Sequence, residues 1–313
     1  MATFLVTGGA GFIASHLVDR LLEDGHRVAV VDDLSTGFRE NVNPRATFYH
    51  ADIRSDDLST IFAKEAPDFV NHHAAQMDVR RSVKEPMFDA DVNILGSLNL
   101  IENSLRHNVK KIVYISTGGA VYGEPDYLPV DEGHPIRPLC QYGISKHTVE
   151  HYLYFYGQTY GLRYTVLRYP NVYGPRQNPF GEAGVNAIFI GKMLRGEVPT
   201  IFGDGEQLRD YVYVSDIVRA NIAAFERGDG QVYNIGSAIG TSVNQIYAKL
   251  QHIIGFSRPP IYAEPRTGEI QKISLESSKA WKELGWKASV AMDEGLTRTV
   301  EWFKERISDL RPA

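Results

Sequence analysis

Residues 3–14 read TFLVTGGAGFIA, and this stretch decides the fold of the N-terminal half. Its first five residues are typical of a buried strand, and Phe12–Asp24 carries apolar residues at helical spacing. Glycines between a strand and a helix permit a tight turn, which brings backbone amides and the positive helix end to a pyrophosphate. The stretch therefore predicts a dinucleotide site. The residues placed at the cofactor are Gly8, Gly11, Phe12 and Ile13.

A glycine-rich turn alone is a weak signal, and the second predicted strand strengthens it. Arg27–Val31 ends in Asp32 and Asp33, about 20 residues beyond the glycines. A carboxylate there can accept hydrogen bonds from the ribose hydroxyls of NAD and would repel the 2′-phosphate of NADP. Because no arginine follows until Arg39, we expect NAD as the cofactor.

Strand and helix patterns alternate through the first half of the chain, which indicates a parallel sheet covered by helices on both faces. Strands are predicted at Thr3–Thr7, Arg27–Val31, Thr47–His50, Phe69–Asn71, Lys111–Ser116 and Tyr164–Arg168. Helices are predicted at Phe12–Asp24, Asp57–Lys64 and Asp89–His107, with a further helix from Tyr142. The predicted fold is α/β, a Rossmann-type doubly wound parallel sheet.

The second half loses this alternation and predicts a smaller C-terminal α/β substrate-binding lobe. Residues 171–184 are rich in Gly, Pro, Asn and Gln, which suggests irregular structure over a cleft. Helical periodicity returns at Asn186–Leu194, Val214–Phe225 and Val243–Ile254, and in a terminal helix that ends near Phe303. We expect an NAD-binding domain of residues 1–170, to which 212–236 return. Residues 171–211 and 237–313 would form the lobe.

Composition excludes several classes of protein. The net charge of −5 and the absence of basic blocks argue against nucleic acid. No apolar run approaches the length of about 18 residues that a membrane helix needs. The single cysteine, Cys140, rules out an internal disulfide and fits a reducing cytoplasm, and no signal peptide is visible. We predict a cytoplasmic protein with no membrane or nucleic-acid partner and no metal.

A second constellation carries the chemistry. The buried-type strand Lys111–Ser116 delivers Thr117 at its carboxyl end, where parallel sheets bind ligands. Tyr142 and Lys146 are four residues apart and share one helix face. A tyrosine acts as a base only when positive charge lowers its pKa, which a neighbouring ammonium and an oxidised nicotinamide both supply. We predict Tyr142, Lys146 and Thr117 as the catalytic residues of a hydroxyl oxidation, with Ser116 as the alternative hydroxyl.

These motifs, and others along nearly the whole chain, resemble the extended short-chain dehydrogenases/reductases and, within them, the UDP-glucose (UDP-galactose) 4-epimerase family. The matching segments are Asp32 to Gly37, Asp52-Ile53, His73 to Gln76, Thr117 to Gly123, Tyr142 to Lys146, Leu167 to Pro175, Gly203 to Gly205, Arg209 to Val212 and Arg266 to Glu269. The resemblance implies a tightly held NAD⁺ that oxidises the sugar C4 and then returns the hydride to the opposite face. Tyr142 would move the C4 hydroxyl proton, and Lys146 would hold the nicotinamide ribose.

The resemblance also assigns further contacts. Asp52 and Ile53 would lie at the adenine end, and Asn93 would support the cofactor side of the site. Asn171, Arg209 and Arg266 would bind the diphosphate, Glu269 the uridine ribose, and Phe202 the uracil. The full set of additional residues implied for the cofactor is Asp52, Ile53, Ala74, Ala75, Gln76 and Asn93. The family also implies a homodimer formed through the helices Asp89–His107 and Tyr142–Tyr160.

Alternatives remain open at this level. A 4,6-dehydratase would need an acid and a base where this chain has Gly118 and Gly119, and a decarboxylase would need a glutamate near Thr117. Epimerases of UDP-N-acetylglucosamine, UDP-glucuronate or UDP-xylose reuse the same machinery, and Ile273 is the nearest position to the residue that gates N-acetyl groups. A catalytically inactive NAD-binding regulator is the alternative from another class. We predict UDP-glucose and UDP-galactose as substrates, with some tolerance for N-acetylated forms.

Overall fold

The computed structural model describes residues 1–180, 184–265 and 270–308. Its strands are β1 Thr3–Thr7, β2 Arg27–Asp32, β3 Thr47–His50, β4 Phe69–His72, β5 Lys111–Thr117, β6 Tyr164–Tyr169, β7 Asn171–Tyr173, β8 Thr200–Phe202, β9 Leu208–Tyr213, β10 Gln231–Asn234, β11 Gly240–Ser242 and β12 Ile261–Ala263. Its helices are α1 Phe12–Glu23, α2 Asp57–Glu65, α3 Val79–Lys84, α4 Pro86–Ala90, α5 Ser97–Arg106, α6 Gly118–Val121, α7 Gln141–Tyr160, α8 Val185–Leu194, α9 Val214–Glu226, α10 Val243–Ile254, α11 Ser278–Leu284 and α12 Met292–Arg306.

Seven parallel strands form the main sheet in the order β10-β6-β5-β4-β1-β2-β3. Successive residues of β1 alternate between the two faces, so that Val6 joins one buried apolar cluster with α1 and α9 and Leu5 joins another with α2, α5 and α7. Burial on both faces explains the continuous apolar runs of these strands. The predicted doubly wound α/β fold is confirmed.

A smaller lobe follows the main sheet. It contains a three-stranded sheet in the order β11-β9-β7, a parallel pair of β12 and β8, and the helices α8, α10 and α12 around a separate apolar cluster. The strand β10, from the segment 212–236, pairs in parallel with β6 at the edge of the main sheet. The domain boundaries themselves remain a prediction.

The predicted helix Asp89–His107 is wrong in one respect, because it is not a single α-helix. The segment Asp91–Gly96, between α4 and α5, is a π-helical turn. A π turn adds a residue to one turn and changes the directions of the side chains on either side of it. Within the described ranges, no helix has the length and apolarity needed to span a membrane.

Candidate active site

The turn after β1 forms a cradle at the carboxyl edge of the sheet. Gly8 has a φ of +70°, and a Cβ atom there would lie 2.7 Å from the backbone nitrogen of Ala74. Gly8 N donates to Val31 O at 2.8 Å, and Gly11 precedes the first residue of α1. Only glycine combines this backbone conformation with so close a neighbour. Phe12 and Ile13 therefore begin α1 directly above the turn.

The two acids after β2 differ in their surroundings. Asp32 is buried and accepts from Ala10 N at 2.9 Å and Leu34 N at 2.8 Å, so its carboxylate fixes the glycine turn against the second strand. Burial raises the pKa of Asp32, although these two backbone hydrogen bonds oppose the rise. Asp33 instead accepts from the backbone and hydroxyl of Ser35, at 2.9 and 2.6 Å. Asp32 is therefore the acid that is built into the turn.

The predicted cofactor residues after β4 meet a buried polar network. Asn93, in the π-helical turn, accepts from Gln76 N at 2.8 Å and donates to Gln76 O at 2.9 Å. Asp89 accepts from the amides of Asn93 and Gln76, both at 3.0 Å, and from Ser145 Oγ at 2.6 Å. Ala74 N donates to Thr7 Oγ1 at 3.2 Å. This network connects the segment Ala74-Ala75-Gln76 to α7, the helix that carries Tyr142 and Lys146.

The residues around the turn fit a dinucleotide. The space above Gly8 and Gly11 would be narrowed by any side chain, since a Cβ on Gly11 would lie 3.1 Å from Gly8 O. Beside this turn, the buried Nδ1 of His73 has no hydrogen-bond partner within the described chain. Burial lowers the pKa of His73 to about 3, so its imidazole is neutral at physiological pH. The glycines leave space for a ligand, and the unpartnered His73 nitrogen offers it a hydrogen bond.

At the end of β5 the two candidate hydroxyls are clearly distinguished. Ser116 Oγ is buried and donates to Glu150 Oε1 at 2.5 Å. Thr117 is partly exposed, and its hydroxyl makes no hydrogen bond to any described residue. Because the Ser116 hydroxyl is already committed, the structure favours the assignment of Thr117 as the reactive one. That assignment remains a prediction.

Tyr142 and Lys146 both lie in the first two turns of α7. Lys146 is buried, and its Nζ lies 4.4 Å from the centroid of the Tyr114 ring. Burial lowers the pKa of Lys146 to about 7, although the carboxylates of Glu150 and Asp89 oppose that shift. Aside from this ring contact, the ammonium has no hydrogen-bond acceptor within the described residues. A buried cation of this kind is suited to receive hydroxyl oxygens from a ligand.

The phenol of Tyr142 is not activated by the protein alone. Burial raises its pKa above the ordinary value, and the Cys140 thiol and Asp89 carboxylate raise it further. No hydrogen bond joins Tyr142 to Lys146 in the part of the chain that the structure describes. Added positive charge is therefore required before a phenolate can form near neutral pH.

Glu150, one turn beyond Lys146, belongs to a fully bonded buried network. Arg168 grips its carboxylate with two hydrogen bonds of 3.0 and 2.5 Å, and His147 Nδ1 lies 2.9 Å from Oε2. Arg168 also donates to Tyr122 Oη at 2.8 Å. Burial alone would raise the pKa of Glu150, but hydrogen bonds from His147, Arg168 and Ser116 outweigh it and lower the pKa to about 2.

The predicted substrate residues are only partly described. Asn171 begins β7 and is the register neighbour of Tyr211 on β9, which also carries Arg209. Arg209 Nη1 donates to Leu208 O at 2.9 Å and Gln271 O at 3.3 Å. Phe202 lies on β8, opposite Ala263. Arg266 and Glu269 lie outside the described residues, and the remaining substrate contacts stay predictions.

Next to Thr117, Gly118 is packed against the smaller lobe. A Cβ on Gly118 would lie 2.3 Å from Leu275 Cδ1, and Leu275 is completely buried. Ile273 joins the same apolar cluster, with Val121, Tyr122 and Val130. Leu275 therefore fills the space that a catalytic side chain at position 118 would require.

Two polar side chains of the smaller lobe were not predicted as site residues. Both amide atoms of Asn186, in the first turn of α8, are buried without a partner among the described residues. The same is true of Gln177 Oε1, while Gln177 Nε2 donates to Val172 O at 3.2 Å, beside Asn171. The available signal was a lone asparagine within the apolar run Val185 to Ile190. Within the described ranges no group of three or more His, Cys, Asp or Glu residues could hold a metal ion.

Comparison with known proteins defines the class of this protein. The model of the NAD dependent epimerase/dehydratase family matches residues 4–236, so the chain belongs to that family. The resemblance to extended short-chain dehydrogenases/reductases is thereby confirmed, and so are NAD as the cofactor and the enzymatic nature of the protein.

Three solved structures place the chain within that family. It is 51% identical to a UDP-glucose 4-epimerase with UDP-glucose from Thermotoga maritima, which covers 97% of this chain and 99% of that one with a TM-score of 0.96. It is 42% identical to a UDP-glucose 4-epimerase from Thermus thermophilus in complex with NAD (96% and 99% covered, TM-score 0.92). It is 35% identical to a UDP-N-acetylglucosamine 4-epimerase from Methanobrevibacter ruminantium (97% and 99% covered, TM-score 0.93).

Proposed function

We propose that this enzyme interconverts UDP-galactose and UDP-glucose by inverting the sugar C4. One observation carries the proposal. Thr117 ends β5, and Lys146, one turn after Tyr142 on α7, lies over Tyr114 of the same strand and acts electrostatically on His73 beside the glycine turn. The Lys146 ammonium and the Thr117 hydroxyl have no hydrogen-bond partners among the described residues. Polar groups that neighbouring side chains leave unsatisfied are the groups a substrate can use.

Each residue has a defined part in the reaction. NAD⁺ held at the glycine turn would supply a hydride acceptor for C4 and a donor for its return. Tyr142 removes the C4 hydroxyl proton and later gives it back, while the Thr117 hydroxyl orients the same oxygen. Lys146 would bind ribose hydroxyls of the cofactor. Because the pKa of Tyr142 is raised in the protein alone, the positive charge of the bound nicotinamide would be needed beside the ammonium to lower it. The buried Asp89–Ser145 hydrogen bond holds α7 in place during these steps.

The site favours epimerisation over elimination of water. Elimination from C5 and C6 needs an additional acid and base beside Thr117. The chain has Gly118 and Gly119 there, and the Leu275 side chain fills the adjacent space. Positions 118 and 119 thus supply no acid or base for elimination, whereas Tyr142 supplies the proton-transfer group that reversible oxidation at C4 requires.

The smaller lobe would bind the nucleotide. Asn171, Arg209 and Arg266 are proposed for the diphosphate, for which arginine offers charge and forked donors. Glu269 and Phe202 are proposed for the uridine. The unpartnered amide oxygens of Asn186 and Gln177 offer two acceptors, and Asn186 Nδ2 offers a donor, a combination that suits hydroxyl groups better than phosphate.

Proton NMR of UDP-galactose incubated with the purified enzyme tests the proposal. Without added NAD, UDP-glucose should appear and reach the same ratio from either direction. No conversion, even after NAD⁺ is added, would contradict the proposed substrate. Formation of NADH on addition of a UDP-sugar would separate any such enzyme from an inactive NAD-binding regulator.

A second candidate is 4-epimerisation of UDP-N-acetylglucosamine, which the similarity to an epimerase of that sugar favours. Ile273 is buried in an apolar cluster, so nothing bulky projects from that position into open space. We expect slower turnover of UDP-N-acetylglucosamine than of UDP-glucose. Absence of turnover at saturating UDP-N-acetylglucosamine would remove this candidate.

We also propose a homodimer. Tyr152, Tyr154 and Phe155 on α7 are exposed at 38%, 59% and 49%, more aromatic surface than a solvated helix normally presents. A second copy of the same helix would bury them. A light-scattering mass of one chain at micromolar concentration would contradict the dimer.

A further inference from the structure

The loop after β3 borders the adenosine half of the cofactor site. In the main sheet His50, the last residue of β3, is the register partner of Asp32, and Ala51 N donates to Asp32 O at 3.2 Å. A dinucleotide in a doubly wound sheet lies across the carboxyl ends of neighbouring strands. Since β2 and β3 lie outward from the glycine turn after β1, residues 51–55 form the outer wall at the adenosine end.

Arg54 ties this loop to a distant segment. Its Nε lies 3.0 and 3.1 Å from the two carboxylate oxygens of Asp52, and its Nη2 lies 2.5 Å from Oδ2. Its Nη1 donates to Asp91 Oδ2 at 2.5 Å, and Asp91 begins the π-helical turn. One guanidinium therefore bridges two carboxylates that are 39 residues apart in sequence, 52 and 91.

Apolar and backbone contacts reinforce the bridge. The buried Ile53 packs against the π-helical turn so closely that a Cβ on Gly96 would lie 2.8 Å from its Cδ1. Asn99 Nδ2 donates to Ile53 O at 2.9 Å and to Ser55 O at 3.0 Å. The loop is thus held at its side chains and at its backbone.

The π-helical turn contacts both sides of the cofactor site. Asp91 and Asn93 are two residues apart, so Asp91 meets Arg54 while Asn93 meets Gln76 and Asp89 in the buried network. Movement of this turn would therefore disturb the outer wall and the Gln76 segment together. The Arg54 bridge supplies the ionic contact between the turn and the outer wall, beside the packing of Ile53 on Gly96.

We propose that Arg54, bridging Asp52 and Asp91, is a positioning residue that closes the adenosine end of the site and retains NAD between half-reactions. Isolated surface ion pairs contribute little, but a forked arginine within a network of two carboxylates is the arrangement that holds two segments together. The advantage of retaining NAD rests on the proposed epimerisation. An enzyme that must recover its own hydride loses a turnover whenever reduced cofactor dissociates midway.

The test measures cofactor release from the holoenzyme. Wild type, Arg54→Gln and Asp91→Asn would be diluted into NAD-free buffer containing an NAD glycohydrolase as a trap, and the remaining bound NAD would be measured after acid extraction. We expect release at least about 10-fold faster for Arg54→Gln and a smaller acceleration for Asp91→Asn, which keeps the fork on Asp52. Arg54→Gln should lose activity on dilution and regain it when NAD is added, because the variant has a higher KM for NAD and an unchanged kcat.

Arg81→Gln is the matched control. Arg81 lies over the same Phe88 ring, 4.0 Å from its centroid against 5.4 Å for Arg54, and pairs with Glu85 instead of the loop. Its NAD release should equal that of wild type. Wild-type release from both Arg54→Gln and Asp91→Asn, or equally fast release from Arg81→Gln, would overturn the proposal. Because the readout is bound NAD, failure of epimerisation with any UDP-sugar leaves this result interpretable.

Discussion

Lys146 and Glu150 lie one turn apart on the buried face of α7, and they differ in how far the protein satisfies their charges with hydrogen bonds. Glu150 is bonded by Ser116, His147 and Arg168, so it stays ionised with a pKa of about 2. Among the described residues, Lys146 contacts only the face of the Tyr114 ring, and burial lowers its pKa to about 7. A buried charge that the protein satisfies fully is structural, whereas one that it leaves unsatisfied is available for a ligand.

The largest effect is expected at the catalytic end of the helix. Tyr142→Phe removes the only proton-transfer group proposed at C4, so kcat should fall by about 10³- to 10⁴-fold. Bound NAD should be retained, because the ring and its packing remain. The kcat comes from the rate of UDP-glucose formation by NMR, and near-full activity of this variant would refute the mechanism.

Substitution of Glu150, whose carboxylate is fully hydrogen-bonded, should lower the free energy of unfolding. Glu150→Gln leaves the Arg168 guanidinium buried without its counter-charge, and we expect a loss of about 3 kcal/mol in the free energy of unfolding. Urea denaturation of the two proteins measures the difference. A loss below about 1 kcal/mol would show that this pair is no more important than a surface ion pair.

The same variant gives a pH signature. The pKa of Glu150 falls from its ordinary 4.5 to about 2 on folding, so the unfolded chain binds more protons between these values. Its stabilising contribution is complete above pH 4.5 and is lost as the pH falls through 2. The stability gap between wild type and Glu150→Gln should therefore narrow over that range in acid denaturation.

Lys146→Met should produce the opposite combination. Turnover should fall about 100-fold, while the NAD-free protein should be at least as stable as wild type below pH 7, because burying the ammonium costs free energy there. The pKa of Lys146 is about 7 in the folded chain against 10.5 ordinarily, so that cost declines as the pH rises from 7 to 10.5. Thermal melts of both proteins at pH 6 and pH 10 measure this. A Lys146→Met protein that melts well below wild type at pH 6 would show that the buried ammonium is stabilising, which would contradict the comparison with Glu150.

Smaller effects on stability should separate the neighbouring hydroxyls. Thr117→Val should slow turnover about 100-fold. It should leave stability unchanged, because the Thr117 hydroxyl has no hydrogen-bond partner among the described residues. Ser116→Ala removes a donor to a buried carboxylate and should cost about 1–2 kcal/mol of stability. Kinetics and urea denaturation on both variants test this pair. A silent Thr117→Val beside an inactive Ser116→Ala would reverse the assignment.

Much of the main sheet could be predicted because its strands are short apolar runs between glycine or polar turns. The predicted bounds of β1 and β3 agree with the structure, and β2, β4, β5 and β6 each extend one residue further. The strand β10 was not recognised as a strand, since Gln231–Asn234 has no distinctive pattern and its position depends on pairing with β6. The π-helical turn was missed because apolar periodicity continues through it.

In the candidate site, too, some features could be predicted from the sequence and others could not. Its residues stand in local motifs, so their positions at strand and helix ends could be anticipated. The partners that distinguish them could not, since Ser116 meets Glu150 and Gly118 meets Leu275 across 34 and 157 residues of sequence, 116 to 150 and 118 to 275. Such contacts depend on how segments distant in sequence pack against one another.

The position of β10 has a practical consequence for dissecting the enzyme. A fragment that ends at residue 170 would keep the glycine turn, Tyr142 and Lys146, but it would remove β10 and expose β6 as a bare sheet edge. It would also remove α9, whose apolar face covers one side of the sheet. Unpaired edges of this kind promote aggregation. Nucleotide-binding fragments of this chain should therefore extend through Asn234 to remain in solution.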